Sequence, residues 1–542
     1  MPHLFDLATR AILAGTCLLA FATTLTAQTK VEQATRDKIL LIGNGTEPQN
    51  LDPQTVKGVT ENKIITAIME GLIAYHPTDQ ALPEPGLAEK WEPNADSSEW
   101  TFTIRENAQW SNGDPVKASD FVFSYQRMLS PDFAADYADQ LYIMVGAEDY
   151  KKGTLTDFSQ VGVKALDDRT LRITLVGPTP YFLSILTHYS WFPVHPPTIL
   201  KFGKIDDRVS LWTRPENYVG TGPFKLKEWK VNQVISVERN PKYWDAAKVL
   251  LNGIEFYPIE DQNTEERAFR AGQLHQTNEV PLDKIPGYRR DNARLIRLDP
   301  YLGTYFYRFN VTVPALKDVR IRQALNLTID RESIVENITR GGQTPATGFT
   351  PPGLGNYQTP DLISYDPDKA RQLLAQAGFP DGKNFPKLEV LINTSESHKV
   401  IAEAIQQMWK EELGIEVSIR NEEWKVYLDS QTNLKYQISR SGWIGDYMDP
   451  ITFLSLWTTG NGNNNTGWSN PEFDALIAQA QREGEAAKRF DLLQKAETIF
   501  LNDPPVGLIY WYTRIYLQSP HVKNWKPLLL DNHNYKYIDL QE

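Results

Sequence analysis

The chain of 542 residues has a single cysteine, Cys17. It lies in an N-terminal segment expected to be cut away, which leaves no thiol for a disulfide, a thiolate metal site or a cysteine nucleophile. Stability must therefore come from buried cores. Long apolar runs are also scarce, because only Ala11–Leu25 forms one and no later stretch reaches membrane length. That run, followed by "TLTAQ", is too short for an anchor and ends near a small residue, Ala27. Residues 1–27 read as a secretory signal peptide. A lipoprotein reading is disfavoured because Thr16 precedes Cys17 where Ala, Gly or Ser is expected.

Positive charge is in deficit: 56 Lys and Arg stand against 68 Asp and Glu, a net charge of -12. Such an acidic surface argues against nucleic acid or an anionic membrane as partner. Catalytic signatures are missing as well. The sequence contains no HExxH, GxSxG or GxxxxGK[ST], and its eight histidines never cluster at metal-ligand spacing. A pair of carboxylates facing each other across a cleft, as in a glycosidase, leaves no sequence signature and stays open.

Aromatic residues, by contrast, are plentiful, with 14 Trp, 24 Tyr and 22 Phe. Stretches such as "YFLSILTHYSWF", "YLGTYFYRF" and "LIYWYTRIYL" carry more hydroxyl and indole N–H groups than cores usually accept. Some of these rings are expected to line a cavity.

Strand and helix signals alternate along the chain. "WTFTIRENAQW" and "TLRITLV" alternate apolar and polar residues as half-wet strands do. After the "GDP" turn, Ser119 is expected to cap a helix. "KLEVLIN", "SESHKVIAEAIQQMWKEELG" and "IEVSIRN" read as a βαβ unit with parallel strands, the helix presenting Ile401, Ala404, Ile405, Met408 and Trp409 on one face. "DPDKARQLLAQAG" and "NPEFDALIAQAQ" open helices with an Asx cap and then Pro. Residues 28–542 are too many for one ordinary domain. The expectation is an α/β protein of several lobes, its ligand held between them.

Eight segments in order, among them "GTEPQNLDP", "WSNGDPVKASDFVFSYQRM", "TGPFKLKEW", "VERNPKYWD" and "GWIGDYMDP", resemble the extracytoplasmic solute-binding proteins of peptide ABC importers, the oligopeptide-binding type. The resemblance implies a periplasmic location and a periplasmic binding protein-like (type II) fold with three lobes and mixed sheets. Lobe I would comprise 28–58, 196–302 and 515–542, lobe II the insertion 59–195, and lobe III 303–514, with a hinge that closes over the ligand. It further implies a monomer that takes short peptides to an ABC permease complex in the inner membrane, with no cofactor, no metal and no chemistry of its own. Murein peptide or another solute in the same fold, or a secreted hydrolase, are the competing readings.

By that resemblance Asp446 receives a peptide's α-ammonium, and Arg440 contributes positive charge near the site. The competing structural roles are a turn carboxylate capping its own backbone for Asp446 and a buried ion pair for Arg440. Trp443 would wall a ligand side chain or fill core, and Glu47, His398, Asn278, Tyr125 and Tyr512 match cleft positions. Asp449, before Pro450, reads instead as a helix cap. Two departures stand out: Gly303 and Ile444 occupy the positions of a cysteine pair in relatives, and Gln431 that of a second arginine.

Overall fold

The computed structural model describes residues 28–542; the expected signal segment, with Cys17, lies outside the described residues. Three larger sheets organise the chain. In the first, Ile39–Gly43 runs parallel to Gly253–Tyr257, which continues antiparallel through Val234–Arg239 to Phe224–Lys230. The second is antiparallel throughout, in the order Ala88–Pro93, Glu99–Ile104, Thr170–Thr174, Val163–Ala165. Thr170–Thr174 buries Leu171 and Ile173 between partly wet neighbours, the alternation expected of a sheet with one solvated face.

The third sheet has six strands in the order Thr344–Pro345, Val506–Leu517, Ile296–Phe309, Ile438–Ile444, Leu388–Asn393, Val417–Glu422. Its last strands are the expected βαβ unit: Leu388–Asn393 and Val417–Glu422 pair in parallel around the helix Glu396–Leu413. Ser395 accepts at the start of that helix, and Gly414, in the left-handed region at φ 68°, ends it. Its core face is Ile401, Ala402, Ile405 and Trp409; Ala404 and Met408 are only half-buried. Asp366 and Asn470 cap the helices Pro367–Gln376 and Pro471–Ala480, each with Pro in the first turn.

The helix expected after Ser119 begins two residues earlier than that cap implies and spans Ala118–Leu129, with Lys117 at the cap position. Its first turn is held by Asp120, whose carboxylate accepts from Lys117 N at 2.9 Å and from the Trp110 indole at 3.1 Å. Asp120 is the third helical residue and accepts the backbone N–H of the cap residue Lys117, which fixes the helix start ahead of Ser119.

From Leu302 to Phe309 every residue of "LGTYFYRF" is buried, because this central strand is covered on both faces. Leu302 and Phe306 join the largest core, while Tyr305, Tyr307 and Phe309 join a second. At its other end Ile296 packs with Leu517, Leu41 and Phe269 in a third. Ile296–Phe309 and Val506–Leu517 thus run from one packed body into another. Their pairing breaks register between Pro300 and Thr304.

Candidate ligand-binding site

A cavity of about 290 Å³ opens where the strand Ile438–Ile444 ends, lined by the first-sheet region, by residues 137 and 188–189, and by the third sheet. Gly442 shapes one wall. A Cβ there would stand 2.5 Å from the Tyr512 hydroxyl, so only glycine lets that ring lie across the strand. Gly303 and Ile444 face each other across the neighbouring strand pair, and the Ile444 side chain fills the space over the glycine. Packing holds this pair of strand positions together.

Six of the eight expected residues line the cavity: Asp446, Arg440, Trp443, His398, Asn278 and Tyr512. Asp446 does not cap its own turn. Its carboxylate accepts from Gln140 Nε2 at 2.9 Å and from the Tyr137 hydroxyl at 3.4 Å, and its backbone N–H donates to Thr452 Oγ1 at 3.0 Å. His188 Nε2 lies 3.5 Å from Oδ1. Burial, reinforced by the nearby Asp139 carboxylate, raises the Asp446 pKa well above the usual range. Burial likewise lowers His188 to about 3, so the imidazole is neutral. Asp446 is therefore a nearly buried carboxylate with neutral partners only.

Arg440 is the complementary case. Its guanidinium donates to Tyr512 OH at 2.8 Å and to Asn393 Oδ1 at 3.2 Å, lies 4.7 Å over the Tyr305 ring, and leaves Nε without a partner. Among the described residues no carboxylate pairs with it, so the buried ion pair considered above does not form there. Gln431, on the helix Trp424–Thr432, stands behind it: its amide donates to Tyr427 OH, Ser439 Oγ and Arg440 O. The glutamine braces the backbone of the arginine and does not line the cavity.

Trp443 is packed in the core and also lines the cavity. Its indole N–H donates to Thr452 O at 2.8 Å inside the core, while one face reaches the cavity. His398 lies in the first turn of its helix, but the cap is Ser395; the imidazole faces Tyr305 OH at 3.4 Å. Burial, then Arg440, lowers its pKa well below the ordinary value. Asn278 Oδ1 accepts from Lys63 Nζ at 2.7 Å.

Two expected residues stand elsewhere. Glu47 is taken up by Trp229 Nε1 at 2.6 Å and by the N–H of Asn232, a turn residue at φ 57°, so it secures a hairpin while Gly45 and Thr46 reach the cavity. Tyr125 is wholly buried in the core, edge-on to Trp191, and its hydroxyl donates to Trp191 O at 3.3 Å. Asp449, in turn, accepts from Ile451 N at 3.0 Å, as a cap would, and also forms a two-pronged pair with Arg489 at 2.6 and 2.9 Å.

The partners of Asp446 were not singled out in the sequence. Tyr137, Gln140 and His188 sit more than 250 positions away, and their only signal is that "THYSW" belongs to an aromatic stretch. Each of the three aromatic stretches does supply a lining ring, Tyr189, Tyr301 and Tyr512. Among the described residues no group of three His, Cys, Asp or Glu side chains is placed to hold a metal ion.

The profile of the bacterial extracellular solute-binding proteins, family 5 (middle region), matches residues 83–465. The chain belongs to this family. It is 37% identical over 517 residues to the periplasmic oligopeptide-binding protein OppA of Salmonella typhimurium, covering 94% of this chain and 93% of that one. Among solved family 5 structures, Haemophilus influenzae OppA in complex with RPPGFSPFR superposes with a TM-score of 0.87 at 33% identity, over 93% of this chain and 99% of that one. The murein tripeptide-binding protein MppA in its unliganded open form gives a TM-score of only 0.63 at 34% identity, over 93% and 97% of the chains. At similar identity and coverage, this chain superposes more closely on the peptide complex than on the open form.

Proposed function

We propose that this family 5 protein captures short peptides in the periplasm between closing lobes and delivers them, as a monomer and unaltered, to an ABC permease in the inner membrane. The observation that carries the reading is a pair of uncompensated charges in one cavity. Asp446 is a carboxyl group with neutral partners, its ionised form disfavoured until a cation joins it, and Arg440 is a cation with neutral partners. Leaving a buried charge unpaired is costly, so the site is built to be completed by a ligand bearing both signs. A peptide carries an ammonium and a carboxylate whatever its sequence. Asp446 takes the ammonium, Arg440 an anionic group further along, and Trp443 forms a wall for a side chain. His398, Asn278 and Tyr512 complete the lining. The peptide lies extended along the strand that carries Arg440 and the turn after it that carries Asp446.

The lobes are 28–58 with 196–302 and 515–542, then 59–195, then 303–514. Asp446 belongs to the last, and its partners Tyr137, Gln140 and His188 to the second, so closure brings the ammonium receptor together. The long strands Ile296–Phe309 and Val506–Leu517, with their register break, are the natural hinge.

The test is calorimetric titration of the mature chain, freed of copurified ligand by unfolding and refolding, with several tetrapeptides of unrelated sequence. Comparable affinity across the set, with no product formed, is expected. Binding of one sequence only, displacement by murein tripeptide alone, or turnover would refute the reading.

A further inference from the structure

The hydrogen bonds behind Asp446 form an almost closed ring. Gln140 Nε2 donates to Asp446 Oδ2 at 2.9 Å, and Gln140 Oε1 lies 2.6 Å from Ser190 Oγ. Ser190 Oγ lies 2.8 Å from His188 Nδ1, and His188 Nε2 lies 3.5 Å from Asp446 Oδ1. The protons of this ring can be assigned by counting donors. The Gln140 amide must turn its NH₂ to the carboxylate, which leaves its carbonyl oxygen facing Ser190. Ser190 has one hydroxyl proton, and the 2.6 Å contact to a carbonyl oxygen requires it there.

Ser190 Oγ is then an acceptor toward His188, so the imidazole proton sits on Nδ1. A rival contact, Ser190 N to Nδ1, is 3.4 Å long and yields to the one of 2.8 Å. Because burial keeps the ring neutral, Nε2 is bare. With Asp446 ionised, two acceptors, His188 Nε2 and Asp446 Oδ1, face one another at 3.5 Å with no proton between them, and an arriving ammonium favours that ionised form. His188 is buried, packed on Tyr189 at 4.0 Å and Tyr137 at 4.8 Å, yet lines the cavity. The gap calls for a donor with at least two N–H bonds.

We propose that His188 Nε2 is a second receptor for the ligand's ammonium, accepting one of its N–H protons beside Asp446, with the ring's tautomer set by Ser190 and Gln140. The proposal rests on the ammonium reading given above and deepens it. A nitrogen about 2.9 Å from both acceptors satisfies them together. The site thereby reads the number of N–H donors as well as the charge. Ser190 and Gln140 act as positioning residues.

The test compares tetra-alanine with its N-acetylated form, by calorimetry, on wild type and His188→Phe, a variant that keeps ring packing. A hydrogen bond to a charged group predicts a loss of about ten- to a hundredfold for the free amine. Binding of the acetylated peptide should change less than about threefold. Equal weakening of both forms, or none of the free amine, would overturn the proposal. Wild type binding both forms alike would overturn the ammonium reading and this one with it, whereas discrimination retained in full by His188→Phe overturns this one alone. Nitrogen-15 NMR of wild-type histidines gives an independent check that does not depend on the variant folding. His188 should be the neutral Nδ1–H tautomer, its Nε2 resonance moving upfield with tetra-alanine. An Nε2–H tautomer indifferent to the peptide contradicts the assignment.

Discussion

Asp446 and Asp449 are three residues apart, both largely buried, and should respond oppositely to substitution. Asp449 is bound to Arg489 through both carboxylate oxygens, at 2.6 and 2.9 Å, and also accepts from Ile451 N. The Arg489 side chain is 2% exposed, lies 4.8 Å over the Tyr181 ring, and keeps only Ala480 O as another polar partner. Asp449→Ala leaves that guanidinium buried and unpaired, a loss of about 3–5 kcal/mol. Asp446 has no cation to lose. Its ionised form is disfavoured by burial, so Asp446→Asn should leave the ligand-free protein as stable as wild type at pH 7, or more so.

The pH dependence follows from the same shift. With the folded pKa raised above an unfolded value of about 3.9, the native state holds the proton more tightly. Wild-type stability from this group is full below about pH 4 and falls as pH rises toward the raised value; Asp446→Asn removes that part of the slope. Urea unfolding of ligand-stripped protein, followed by tryptophan fluorescence between pH 4 and 8, measures both effects. An Asp449→Ala loss under about 1 kcal/mol, or an Asp446→Asn loss matching it, would refute the reasoning.

Arg440→Met should weaken peptides with a free C-terminal carboxylate and leave their amidated forms unchanged, read by calorimetry on tetrapeptide pairs. Tyr125→Phe and Glu47→Gln should each cost about 1 kcal/mol of stability in urea, through one buried bond and one hairpin contact, without altering peptide affinity. Gly303→Cys with Ile444→Cys should form a disulfide between directly opposed strand positions and add about 2–4 kcal/mol, lost on reduction.

Much of this was legible in the sequence where the signal is local. Caps at Asp366, Ser395 and Asn470, the βαβ unit and the alternating strands follow from residue types within a turn or a strand of each other. The Ser119 cap misleads because the deciding residue, Asp120, also answers the Trp110 indole, a contact the local pattern does not contain. The site was legible only on one side. Arg440, Trp443 and Asp446 lie on one strand and the turn after it, while their counterparts come from a body joined only through the fold. Tyr125 and Glu47 fail for the same reason. A tyrosine in an amphipathic helix and a glutamate before a proline carry no mark of which way they face, and packing turns one into core and the other onto a hairpin. Gln431 reads in sequence as a missing charge, but in the structure it is a brace for Arg440.

The most direct test of the central claim is titration of one tetrapeptide, free and N-acetylated, into ligand-stripped wild type and Asp446→Ala. The account predicts that acetylation weakens wild-type binding by roughly two to four orders of magnitude, and that Asp446→Ala binds the free amine little better than wild type binds the acetylated form. Equal affinity of wild type for both forms would contradict it.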